Sequence, residues 1–107
     1  EYDDFIKNNN PLIIDLRGNM AYKNFHIKDS INITDIFFED LINNGLPFPK
    51  DKKILLVCPT GDKSRKYSAY LNKNGLKVYS LKDGFNSYRL NNKELVREIR
   101  SIDFGEL

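Results

Sequence analysis

Ile54-Leu55-Leu56-Val57-Cys58-Pro59-Thr60-Gly61-Asp62-Lys63-Ser64-Arg65 is the stretch on which the reading of this chain turns. Four consecutive apolar residues of strand length run directly into Cys58, the single cysteine of the sequence. A short loop with one glycine follows. A helix is then expected, with Ser64 as its cap, Tyr67, Ala69, Tyr70 and Leu71 as its apolar residues, and Asn74-Gly75 as its end. That order puts a thiol at the carboxyl end of a strand, facing the positive end of a helix dipole, with loop amides able to converge on the sulfur. Thiolate is the reactive form of cysteine, and an electropositive setting favours it; Lys63, Arg65 and Lys66 follow closely. The stretch predicts a cysteine nucleophile or an anion-binding loop.

Working outward, short apolar runs alternate with helical patterns. Upstream, Tyr2 to Asn9 reads as a short helix that Asn8-Asn9-Asn10-Pro11 ends, and Leu12 to Leu16 as a strand that Asp15 breaks near its end. Gly18 to Phe25 is loop plus one helical turn, and Ile31-Asn32-Ile33 is a short strand. Thr34 or Asp35 caps a helix carrying Ile36, Phe37, Leu41 and Ile42, which stops at Asn44-Gly45. Pro47-Phe48-Pro49 connects it to the central strand. Downstream, Leu76 to Leu81 is a strand, Lys82-Asp83-Gly84 a turn, and helices are expected around Phe85–Leu90 and Lys93–Arg100. Every strand-to-strand connection is too long for a hairpin, which predicts an α/β fold with a mainly parallel central sheet and helices on both faces. In such sheets ligands sit outside the carboxyl ends of the strands, where Cys58 lies.

A chain of 107 residues predicts one domain over 1–107, with room for a single core. The 40% hydrophobic and 30% charged fractions are those of an ordinary globular protein, so neither disorder nor a fibrous class is indicated. A formal net charge of +2 is too small and too scattered to predict a nucleic-acid partner. No apolar run approaches a membrane span, so no membrane partner is expected. One cysteine cannot form an internal disulfide, and a cytoplasmic setting is expected. The chain begins at Glu1, so a removed leader is compatible with it.

Other constellations are excluded or read as scaffold. Gly61-Asp62-Lys63-Ser64 is no nucleotide-binding P-loop: Leu56 stands where the upstream glycine belongs, and Asp62 separates Gly61 from Lys63. His26, the sole histidine, cannot assemble a zinc site with one distant cysteine, and reads as a structural imidazole bonded to backbone. No metal is predicted. Asp15 and Arg17 read as an ion pair tying a strand end to a neighbouring loop, because buried carboxylates are normally paired.

Four pieces together resemble the single-domain rhodanese family, a sulfurtransferase module, over nearly the whole chain. Asp15-Leu16-Arg17 looks like the family's Asp-Val-Arg at a strand end. Phe25-His26-Ile27 with Ser30-Ile31-Asn32-Ile33 looks like its Gly-His-Ile and Ala-Ile-Asn-Ile stretch. Cys58 to Ser64 is similar to its Cys-x-x-Gly-x-Arg-Ser loop, and Leu81 to Tyr88 to its Leu-x-Gly-Gly-Phe-x-x-Trp. Phe25, Asp83 and Tyr88 depart from the pattern at scaffold positions. Lys63 keeps the charge of the arginine it replaces but loses the planar fork.

The resemblance implies a three-layer rhodanese-like fold and sulfur transfer through a persulfide on Cys58. Pro59, Thr60, Gly61, Asp62, Lys63 and Ser64 would form the loop that binds the anionic sulfur, with Arg65, Asp15 and Arg17 in support. A small donor such as thiosulfate or a persulfide, and a thiol, cyanide or protein acceptor, are the partners implied; the sulfur is carried covalently and no cofactor is implied. Pro59 and Thr60 supply no cation beside the cysteine, where thiosulfate-specialised members often carry one. The family's usual first strand is not seen before Tyr2, which implies a chain trimmed or cut from a larger protein; a monomer, or part of a larger chain, is expected. Two rivals share the fold. One is a non-catalytic interaction module, against which the retained cysteine and intact loop count. The other is a phosphatase, whose Cys-x5-Arg loop is one residue longer and would need arginine where Ser64 stands.

Overall fold

Lys53–Val57 forms the central strand because its last four residues are apolar and flanked by turn-forming residues. Ile54, Leu55, Leu56 and Val57 are all at most 1% exposed. Burial of each contributes about 1.5–3 kcal/mol. The computed structural model describes residues 2–45, 48–91 and 95–96. In chain order these form α1 (Tyr2–Asn9), β1 (Leu12–Asp15), α2 (Asn19–Asn24), β2 (His26–Ile27), β3 (Ile31–Asn32), α3 (Asp35–Asn43), β4 (Lys53–Val57), α4 (Asp62–Lys73), β5 (Lys77–Ser80), α5 (Gly84–Asn91) and β6 (Leu95–Val96).

The main sheet has the order β3-β1-β4-β5 and is parallel throughout. Ile14 sits opposite Ile31 on one side and Leu56 on the other, and Leu56 in turn faces Ser80. Alternation along the strands divides the core into two layers. Ile14, Leu16, Ile54, Leu56 and Val78 pack with Phe38 of α3 and Leu71 of α4. Ile13, Leu55 and Val57 pack with Leu81, with Ile27 of β2 and with Phe85 of α5, and Ile6 and Leu95 lean on that cluster. The expected α/β class, with a parallel sheet covered on both faces, is the architecture observed.

The chain leaves β1 toward β3 on one flank, then crosses to β4 and β5 on the other. The order therefore reverses between β1 and β4, where the loops beyond the strand ends diverge and open a crevice. Cys58 follows β4 and Leu16–Gly18 follow β1, so the reversal determines which residues meet.

Several local expectations are corrected. Gly61, with φ 90°, is the N-cap of α4, and Ser64 lies inside the first turn, fully buried. In α3, Ile36 and Phe37 are 71% and 66% exposed while Phe38 is buried. Three consecutive apolar residues wrap a helix rather than define a face, and position 38 shares the core side with Ile42. In α4, Ala69 and Tyr70 are exposed, and Ser64, Ser68 and Leu71 form the buried face. A helix expected near 93–100 is, at Leu95–Val96, a strand antiparallel to β2; the rest of that span lies outside the described residues, as does Pro47. The free edge of β2 offered pairing that local helix propensity could not outweigh.

Candidate active site

The loop after β4 wraps its own cysteine sulfur. Cys58 Sγ receives the Gly61 N–H at 3.1 Å and the Ser64 N–H at 3.4 Å. The Ser64 hydroxyl stands 3.3 Å from the sulfur and also reaches the Gly61 carbonyl at 3.2 Å and the Ser80 hydroxyl at 2.7 Å. A neutral thiol can donate to that hydroxyl. On ionisation the hydroxyl can turn and donate instead, which gives the thiolate three donors. The left-handed Gly61 makes this curl possible, turning the loop so that its own amide and that of Ser64 point inward.

A second segment braces the loop from behind. Phe85 N–H donates to the Cys58 carbonyl at 2.8 Å and Asn86 N–H to the Pro59 carbonyl at 3.0 Å, so the start of α5 holds both peptide units. Gly84 passes so close that a Cβ there would stand 2.3 Å from the Pro59 oxygen.

Cys58 is 2% exposed and lines a cavity of about 360 Å³ above the crevice. Leu16 and Gly18 contribute to the wall from the β1 side, Pro59 and Thr60 from the cysteine loop. The charged residues lining it are Arg17, Asp35, Asp62 and Lys63.

Arg17 is held through its Nε and Nη2. Its Nε reaches both Asp15 carboxylate oxygens at 2.9 and 3.1 Å, and its Nη2 reaches Asp15 at 2.8 Å and the Phe25 carbonyl at 2.6 Å. Its guanidinium also lies 3.7 Å from the centre of the Phe85 ring. Asp15 and Arg17 thus form the ion pair expected of them, and Arg17 presents part of its surface to the cavity. His26 Nδ1–H donates to the Tyr22 carbonyl at 2.7 Å and the ring stacks on that of Tyr22, the scaffold part expected of it.

Lys63 pairs with the Asp35 carboxylate. Its hydrogen bond to Asp35 raises the Lys63 pKa, and the same bond holds the Asp35 carboxyl below the ordinary carboxylate range. Arg65 is 71% exposed at its side chain and pairs with Asp62 at 3.1 Å, outside the set of residues lining the cavity. Of the loop residues, Gly61 and Ser64 direct groups at the sulfur, Pro59 and Thr60 line the cavity, and Asp62 and Lys63 turn to Arg65 and Asp35. Three contributors were not read from the sequence as site residues: Asp35, Ser80 and Phe85. Each sits at or just beyond a strand's carboxyl end, but only the strand order brings those ends together. No cluster of three or more His, Cys, Asp or Glu side chains suited to a metal occurs among the described residues. No described helix is long and apolar enough to cross a membrane.

Fold and site define an α/β domain with a cysteine at a strand end and its sulfur in a cradle of amides. The chain belongs to the rhodanese-like domain family, whose model matches residues 1–91. It is 34% identical over 93 residues to a tRNA uridine(34) hydroxylase of Legionella pneumophila (strain Paris), a match covering 82% of this chain and 36% of that protein. A protein of the same name from Onion yellows phytoplasma is 33% identical over 92 residues, covering 82% and 30%. The chain thus spans about a third of the length of these curated relatives. Among solved structures, a rhodanese-related protein from Thermoplasma volcanium superposes with TM-score 0.70 at 22% identity, covering 85% of this chain and 90% of that one. A rhodanese-like domain protein from Staphylococcus aureus gives 0.67 at 24%, covering 90% and 94%.

Proposed function

We propose that this domain carries sulfane sulfur on Cys58. The Cys58 thiolate attacks the outer sulfur of a donor such as thiosulfate; the donor's S–S bond breaks and sulfite leaves with the electron pair. The resulting persulfide then gives up its outer sulfur to a thiolate or to cyanide, and Cys58 returns as thiolate. The sulfur travels covalently, so this cycle uses no resident cofactor. The observation that carries the reading is the pair of Gly61 and Ser64 N–H groups converging on Sγ at the cavity floor. They are placed to stabilise negative charge on sulfur in both halves of the cycle. The short loop, with buried Ser64 at the position a phosphatase gives to arginine and Arg65 turned toward Asp62, counts against phosphate hydrolysis. A reducing, cytoplasmic setting would supply thiol acceptors.

Intact-protein mass after incubation with thiosulfate or another sulfane donor tests this. One added sulfur atom is expected, removed by cyanide and absent in Cys58→Ser. A Cys58→Ser protein that still transferred sulfur at the wild-type rate would remove Cys58 from the mechanism.

A second reading is favoured by the curated relatives, whose printed name is tRNA uridine(34) hydroxylase. There the domain serves within a longer protein that modifies a tRNA uridine, and Cys58 acts in that reaction. This would bring in a nucleic-acid partner that the small net charge of the chain does not predict. Hydroxylated uridine in tRNA, formed by the full-length protein and lost with Cys58→Ser, is the result that favours it over free sulfur transfer.

A further inference from the structure

The cavity over Cys58 is electrically balanced, and its balance hangs on one exposed pair. Of its charged residues, Arg17 and Lys63 are positive, Asp35 and Asp62 negative. The charge of Arg17 is matched by buried Asp15, and Asp62 pairs with Arg65. That leaves Lys63, which Asp35 holds. The carboxylate is the fixed member: Asp35 is the first residue of α3, and its N–H donates to the Leu16 carbonyl at 3.1 Å. The lysine side chain is the more exposed member, at 63% against 28% for Asp35.

We propose that Asp35 is the specificity-determining residue of this site: by holding Lys63 it keeps the cavity neutral and selects against strongly anionic reactants at Cys58. A dianion such as thiosulfate meets lining cations that are each already paired with a carboxylate, Arg17 with Asp15 and Lys63 with Asp35, and must compete with that carboxylate. A sulfur donor without excess negative charge meets no such barrier. The raised Lys63 and lowered Asp35 pKa values agree, since both groups are charged at neutral pH and the pair is intact there. The donor preference rests on the sulfur-transfer reading, whereas the charge balance can be tested without it.

The test compares alkylation of Cys58 by iodoacetate and by iodoacetamide, which differ in charge and share a leaving group. Asp35→Asn should raise the iodoacetate-to-iodoacetamide rate ratio about fivefold, the effect of one unit charge a few ångströms away in water. Lys63→Met should lower it, and the double variant should return close to wild type. In the wild type the ratio should vary little with salt, whereas in Asp35→Asn it should fall as salt rises. The wild-type half of this arm needs no variant. A ratio unchanged in Asp35→Asn, equal acceleration by both reagents, or a steep salt dependence in the wild type would overturn the proposal. Thiosulfate transfer is measured alongside. A raised ratio with no sulfur transfer by any variant upholds the charge balance and counts against the sulfur-transfer reading. A flat ratio with normal transfer does the reverse.

Discussion

Gly84 adopts φ 77° with its Cα pressed against the Pro59 peptide, and both facts exclude a side chain there. A Cβ would lie 2.6 Å from the Gly61 nitrogen, the same amide that donates to Cys58. Gly84→Ala therefore strains the turn and pushes on the sulfur cradle together. It should cost roughly 3 kcal/mol of stability, and slow Cys58 alkylation in the fraction that folds. Chemical denaturation and alkylation kinetics at neutral pH check the two effects separately. Asp83, with φ 62°, tolerates a left-handed backbone one residue earlier, where the family pattern has glycine. The glycine that could not be spared is the one facing Pro59.

Helix α3 shows how an element buries a subset of an apolar run. Phe38 is 1% exposed, its ring 5.3 Å from that of Tyr67 on α4, whereas neighbouring Phe37 is largely in solvent. Phe38→Ala should destabilise the domain by about 3–5 kcal/mol through lost burial and the cavity left behind. Phe37→Ala should stay within about 0.5 kcal/mol. Equal losses in a thermal or urea melt would mean that α3 docks through a different face. The pairing of β6 with β2 works at the same level: Leu95 completes the second core layer by joining an edge strand.

Across the whole molecule, Arg17 links parts that the chain separates. From the end of β1 it reaches Asp15, the Phe25 carbonyl before β2, and the Phe85 ring on α5. Arg17→Met would keep much of the volume and leave Asp15, 1% exposed, without its cation. A loss of about 3–5 kcal/mol is expected, typical of a buried pair broken from one side. Arg17→Lys should recover only part of it, because a lysine cannot make the forked contact or the stack. A melt in which Arg17→Met matched wild type would mean that the pair is not what joins β1 to β2 and α5.

Much of this was legible before the fold was known. The β4 run into Cys58, the glycine of the loop and the alternation of strands with helices depend on near neighbours in sequence, and period and turn chemistry report them directly. So does the pairing of Asp15 with Arg17, two residues apart at a strand end. Other features joined distant segments and left no local trace. Asp35 read only as a helix cap, and lies at the cavity because the strand order brings the end of β3, beyond β1, to the same edge as β4. Ser80 reaches Ser64 because β5 lies beside β4. Leu95 became a strand because β2 had an open edge. Propensity and periodicity act over a few residues, whereas packing sets which strand ends share an edge and hence which charges meet over the sulfur.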